Sequence, residues 1–310
     1  MMRTMNNILY YILFGGILLH TSCDDSLEVV TPVDFEIDVE KTSFTVGEEV
    51  FFQLKGDPSI ITFYSGEIGR DYAFREGRIV PPGSVSLGFE SRVLYGAQPN
   101  QLSILVSSDY SGERNIAAIT RASWTDVTSR YNLAAADIGD YAHVGTADLT
   151  DLTQDGKQLY LAFKYVFDPS QGSPRTWNIR QVQLMNTTSV GTTQLADHLT
   201  GGFELFYVGP KQETGRSSIA SGSITLRSNA AGALDQYTED WCVSKGFDLG
   251  TKDLGPDRPI KVKGNSDART GVFTYVYDSP GVYTAYFVAT NATAKNQESV
   301  IRNVTIEITP

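Results

Sequence analysis

The stretch KQLYLAFKYVFD, residues 157–168, places apolar residues at every second position: Leu159, Leu161, Phe163, Tyr165 and Phe167. Side chains along a strand point to alternate faces, so this spacing gathers all five on one face of an extended chain. On a helix the same residues would scatter around the axis. The pattern predicts a half-buried antiparallel strand, with Gln158 and Lys164 on the other face. The period recurs elsewhere. FEIDV (35–39) alternates Phe35, Ile37 and Val39, and VIRNVTIEITP (300–310) sets Val304, Ile306 and Ile308 on one face. No segment shows sustained helical periodicity. The composition fits, since 16 Tyr and 15 Phe stand against 3 His, with 28 Gly to supply turns. Aromatic and β-branched residues favour pleated sheets. The expectation is an all-β fold.

A length of 310 residues suits two domains. An apolar content of 41% is enough for packed cores and argues against global disorder. The formal net charge is −11. Nucleic-acid binding draws on clustered Lys and Arg against phosphates, and no such cluster is present. No nucleic-acid partner is expected.

Strand pairs sit at both ends of the chain. FTVGEEVFFQLKG (44–56) is a strand, a Gly-centred turn and a strand, and IITFYSGE (60–67) follows. VFTYVYDSPGVYTAYFVATNAT (272–293) is two strands about a Ser-Pro-Gly turn. VGEEVFFQLKG and YVYDSPGVYTAYFVATNA resemble the early and late strands of PKD and related immunoglobulin-like modules. Neither end alone supplies the strands of a sandwich, and two half-modules would leave open edges. One discontinuous PKD/Ig-like sandwich, residues 34–71 plus 256–310, is therefore expected, with residues 72–255 inserted. Gly66 and Gly69, in the FYSGE region, would turn the chain at the junction.

The interior has its own strand series, among them VSLGFESRVLY (85–95), QLSILVSSDYSG (101–112), IAAITRASWTDVTSRYNL (116–133) and RTWNIRQVQLMN (175–186). Their order is similar to the jelly-roll domains of adhesins and carbohydrate-binding modules. ITFYSGEIGRDY, WTDVTSRY and WCVSKGFDL with PDRPIKVKG together resemble a domain of unknown function found in Bacteroidetes lipoproteins. Such proteins accompany polysaccharide-utilisation systems, and the resemblance spans nearly the whole mature chain. It implies place and fold, and carries no established activity.

The first 22 residues read as a signal peptide: Arg3, an apolar run from Ile8 to Leu19, then Thr21 and Ser22. The run is too short for a comfortable membrane span. Cys23 follows, and the segment resembles a bacterial lipobox, although His20 departs from its strict form. The resemblance implies that Cys23 is acylated and opens the mature chain. Asp24 and Asp25 resemble a signal for export to the cell surface. Residues 23–33 would form the lipidated end and a tether, and the chain would face outward from the outer membrane. Several acyl chains anchor well where one holds only marginally. Cys242 is then left without a disulfide partner and reads as a buried structural thiol.

Catalytic signatures are sparse. Neither His143 nor His198 has a nucleophile motif or a zinc-ligand spacing nearby. Carboxylates are plentiful, as at Glu67, Asp71 and Glu76 or at Asp137 and Asp140. Glycoside hydrolysis needs two of them facing across a cleft, which sequence does not show. A structural calcium ion is the one cofactor considered: Asp148, Asp151 and Asp155 could supply hard oxygen ligands, although turn and cap roles explain them equally well. Sugars are commonly held by flat aromatic rings with polar groups beside them. Trp124 and Trp177 lie in expected strands, where tryptophan more often packs in a core. Tyr110 and Tyr131 lie beside loops, and Arg130 and Asn132 flank Tyr131. These six residues are the candidate ligand contacts.

The expectation is a non-catalytic surface lipoprotein that binds extracellular polysaccharide or glycoconjugate beside an outer-membrane glycan uptake complex. The alternatives are a protein-binding adhesin or assembly component, and a glycoside hydrolase.

Overall fold

The computed structural model describes residues 30–31, 33–137, 139–210, 216–229 and 236–310. Cys23, Asp24 and Asp25 lie outside them. The fold is all-β, and its described strands form two compact units, one from the described residues up to Arg78 with Gly255–Pro310 and one from those between Ile79 and Leu254. Among the described residues, no helix is long and apolar enough to cross a membrane.

In the first unit, Phe35–Val39, Glu49–Gly56 and Val272–Val276 make a three-stranded sheet. A five-stranded sheet runs Ile260–Lys263, Ile60–Tyr64, Gly281–Ala292, Gln297–Thr309 and Ser43–Thr45. Period-two alternation sends Val50, Phe52 and Leu54 inward from one strand and leaves Glu49, Phe51 and Gln53 outside. Phe52 meets Phe63 and Phe287 of the other sheet, with ring centroids 5.4 and 5.1 Å apart. The two sheets thus bury a face on each other as a sandwich does. Gly66 has φ +87°, and a Cβ there would come within 2.8 Å of the Thr284 carbonyl oxygen. Only glycine lets the chain turn so close to that strand. Beyond the turn, buried Arg78 forms a two-pronged ion pair with buried Asp257.

The second unit has two six-stranded sheets. One runs Glu204–Val208, Thr238–Val243, Gln158–Phe167, Leu102–Ser107 and Thr125–Asp126, with Phe247–Asp248 also paired to Gln158–Phe167. The other runs Ser218–Ile219, Ile224–Arg227, Thr176–Thr188, Ser84–Leu94 and Ala142–Asp148, with Gly191–Ala196 also on Thr176–Thr188. Leu159, Leu161, Phe163, Tyr165 and Phe167 all enter the shared core, against residues such as Leu87, Phe89 and Ile179 of the facing sheet.

The strand Gln158–Phe167 differs from the half-buried expectation. Tyr160 and Ala162, on its other face, are buried too. They pack with Trp241 and Val243 beneath the helix Ile116–Arg121, which contributes Ala118 and Ile119. That helix occupies part of a segment read as strand. It has six residues, too few to establish a helical period, and Asn115 starts it by accepting the Ala118 N–H at 2.8 Å. Cys242 is wholly buried in the core, where desolvation pushes its thiol pKa up and keeps it protonated.

Candidate functional site

Strands Leu102–Ser107 and Thr176–Thr188 belong to opposite sheets of the second unit. Residues at the start of each line a cleft of about 540 Å³. Leu102 and Ser103 come from one side and Arg175 and Trp177 from the other. The turn Thr128–Arg130 and the segment after it, with Ser129 and Tyr131, add a further side, and Asn100 adds the loop before Leu102. The volume suits a small ligand or one or two sugar rings.

A buried amide network fixes this end of the sandwich. Gln101 is 1% exposed. Its Nε2 donates to Gln98 Oε1 at 3.0 Å and to the Val166 carbonyl at 3.2 Å. Its Oε1 accepts the main-chain N–H of Arg175 at 2.8 Å. The buried Tyr165 hydroxyl donates to the Arg175 carbonyl at 2.9 Å. Both main-chain polar groups of Arg175 are thereby held by side chains from the other sheet. The loop is pressed against the same segment at Gly96. Its φ is +59°, and a Cβ would come within 2.2 Å of the Pro174 carbonyl oxygen.

The six candidate contacts fall into three places. Tyr131 and Trp177 line the cleft, from the core side. They are 6% and 4% exposed, so each offers the cleft a small part of its ring. Tyr131 packs on Phe89 with centroids 5.0 Å apart and donates to the Leu87 carbonyl. Burial pushes its phenol pKa up. Tyr110 and Trp124 lie together elsewhere, 5.7 Å between centroids, in the cluster beneath the short helix. Trp124 precedes the strand Thr125–Asp126, and its Nε1 donates to the Ile119 carbonyl at 2.8 Å. Arg130 and Asn132 are exposed and do not line the cleft. Arg130 turns to Asp151 in a two-pronged pair at 2.8 and 2.7 Å and also bonds the Asp148 carbonyl.

The three aspartates considered for calcium are not gathered into a cage. Asp151 is engaged by Arg130, which holds its carboxyl below the usual carboxylate range. Asp148 accepts the hydroxyl and N–H of Thr150, and these bonds lower its pKa likewise. Asp155 is exposed in a turn. Among the described residues, no group of three or more His, Cys, Asp or Glu side chains is placed to hold a metal ion.

Arg175, Gln98, Gln101, Asn100 and Ser129 were not among the candidates. The signal for one of them was local: Arg175 stands two residues before Trp177, and on an extended chain such residues share a face. A cation in register with a core tryptophan marks a point where the core face opens.

Two polar atoms of the lining residues have no partner. Trp177 Nε1 and Arg175 Nε are both buried from solvent and neither makes a hydrogen bond. A buried donor left unmade costs about 1–3 kcal/mol. Both atoms are closed to solvent and so lie behind the cleft surface.

Residues 22–203, more than half of the chain, match the family described as a domain of unknown function, DUF5017. No curated protein matches the chain.

Proposed function

We propose that this chain, which belongs to the DUF5017 family, is a surface lipoprotein that binds extracellular polysaccharide or glycoconjugate without chemistry. The observation that carries the reading is the cleft at the end of the second unit, where Trp177 and Tyr131 meet Arg175, Asn100, Ser103 and Ser129. Apolar ring surface beside a few fixed polar groups is what a ligand pocket needs for contact and orientation. One carboxylate, Asp126, is present among the lining residues, and it accepts the Thr128 N–H at 2.8 Å. Glycoside hydrolysis takes two carboxyl groups, so the lining favours capture over cleavage.

In this reading the first unit is a PKD/Ig-like spacer and the second a jelly-roll-like binding module. Acylated Cys23, followed by Asp24 and Asp25, holds both at the outer face of the outer membrane. Tethering beside a glycan uptake complex would raise the local ligand concentration there. A second reading, a protein-binding adhesin, is favoured by Phe51, Val272 and Val276. These are all exposed on the outer face of the three-stranded sheet.

The test is a glycan array and affinity electrophoresis of the full chain. Retardation by a defined polysaccharide, weakened by Ser129→Ala and Trp177→Phe, is the expected result. A folded chain that binds no glycan overturns the reading and moves the weight to the adhesin.

A further inference from the structure

Arg175 is a half-buried cation in the lining of the cleft. Three other arginines of the second unit are ion-paired, Arg114 with Glu204, Arg130 with Asp151 and Arg180 with Glu90, and Arg92, Arg216 and Arg227 bond neutral oxygens instead. Among the described residues the guanidinium of Arg175 makes no ion pair and no hydrogen bond, and its Nε is sealed from water as well. Asp126, the acid that lines the same cleft, is not within ion-pair distance and bonds to Thr128 instead. In a chain of net charge −11, acids to neutralise an arginine are plentiful, yet among the described residues none lies within ion-pair distance of this one.

The main chain at this residue is nevertheless fixed with unusual care. Gln101 accepts its N–H and Tyr165 donates to its carbonyl, from side chains 1% and 0% exposed. Two residues on, Trp177 carries a second donor without a partner. Residues i and i+2 of an extended chain lie about 7 Å apart on one face. A guanidinium in the wall of a cleft suits a planar or tetrahedral anion. Arginine binds carboxylates and oxyanions through parallel N–H bonds.

We infer that the cleft selects an anionic sugar, one bearing a uronate carboxylate or a sulfate ester, with Arg175 as the anion's partner. The inference rests on the saccharide-binding reading and narrows it. The overall negative charge does not oppose it at close range. At physiological salt, charges beyond about 8 Å are largely screened, so the local arginine decides the contact. That same net charge discourages unspecific adhesion of acidic polymers.

The experiment is affinity electrophoresis and titration calorimetry of the full chain against polygalacturonate, alginate, chondroitin sulfate and dextran sulfate. Each polymer is run beside its carboxyl-reduced or desulfated counterpart, at low and high salt. The expected result is binding to at least one acidic polymer, with loss of about 10-fold or more on removal of its charge. Arg175→Gln should give a similar loss, and Arg175→Lys a smaller one because the charge remains. Preference for uronate polymers over sulfated ones, or the reverse, identifies the anion. Equal binding to charged and neutral forms, unaffected by Arg175→Gln, overturns this inference and leaves saccharide binding standing. A folded chain that binds neither charged nor neutral polymer overturns both.

Discussion

The buried side chain of Gln101 accepts the main-chain N–H of Arg175 at 2.8 Å, across the two sheets of the second unit. The bond joins a residue with no solvent exposure to speak of to the one unpaired cation of the cleft lining. Gln101→Leu keeps much of the volume and removes every hydrogen bond of the amide. It strands the Arg175 N–H and takes a donor from the Val166 carbonyl. A stability loss of about 1–3 kcal/mol is expected, read from the urea midpoint. Gln101→Glu should lose a comparable amount, since an ionised carboxylate cannot donate to Val166 or Gln98. An unchanged midpoint in both variants would sink the network's role.

In the first unit, Asp257 accepts the Arg78 Nε at 3.0 Å and the Asp71 N–H at 2.9 Å. Arg78 is 7% exposed and Asp257 5%. Removing one member leaves a buried charge without its partner. Asp257→Asn should therefore destabilise by about 3–5 kcal/mol, measured by chemical denaturation.

The same pair sets an acid dependence. The hydrogen bond from Arg78 is the largest cause that holds the Asp257 carboxyl below its ordinary range. A carboxyl with a depressed native pKa contributes its full stability above the unfolded value of about 3.9. That contribution is lost as the pH falls through the native value. The wild-type unfolding free energy should therefore decline below about pH 4, and Asp257→Asn should show a shallower decline over that interval. Parallel profiles for the two proteins would refute the assignment.

The all-β architecture was legible because a single strand, Gln158–Phe167, carries its core face in plain alternation from Leu159 to Phe167. The burial of Tyr160 and Ala162 was not, because it depends on a helix forty residues away in sequence whose six residues are too few to show a period. The candidate site was half legible. Tyr131 and Trp177 converge on the cleft, but Arg130, chosen for standing beside Tyr131, faces Asp151. Adjacent residues of an extended chain point apart, whereas Arg175 and Trp177, two apart, line one space. The clamp on Arg175 was invisible for a different reason. Gln101 and Arg175 are 74 positions apart, and only sheet pairing brings them together.

Trp124 and Trp177 should answer substitution in opposite ways. Trp124→Phe loses the bond to the Ile119 carbonyl and part of the contact with Tyr110 and Trp241. A stability cost of about 1–2 kcal/mol with unchanged ligand affinity is expected, since Trp124 lies away from the cleft. Trp177→Phe deletes an N–H that bonds nothing, which offsets part of the lost ring volume. Its stability cost should be smaller and its affinity cost larger. Thermal melts and glycan titrations of both variants check the crossover, and equal affinity losses at the two positions would contradict it.

Calcium meets a competitor at Asp151. The Arg130 guanidinium bonds both carboxylate oxygens, and an entering ion would have to displace it. Asp148 is likewise engaged by Thr150. Calcium at millimolar concentration should leave the melting temperature of the wild-type chain unchanged. Arg130→Gln frees the Asp151 carboxylate while keeping a polar side chain in place. If Arg130 is what keeps cations out, this variant should gain a small calcium-dependent rise in melting temperature, abolished by a chelator. A rise of several degrees in the wild type would show instead that an ion outcompetes the arginine, and would make the loop around Asp148, Asp151 and Asp155 a metal site after all.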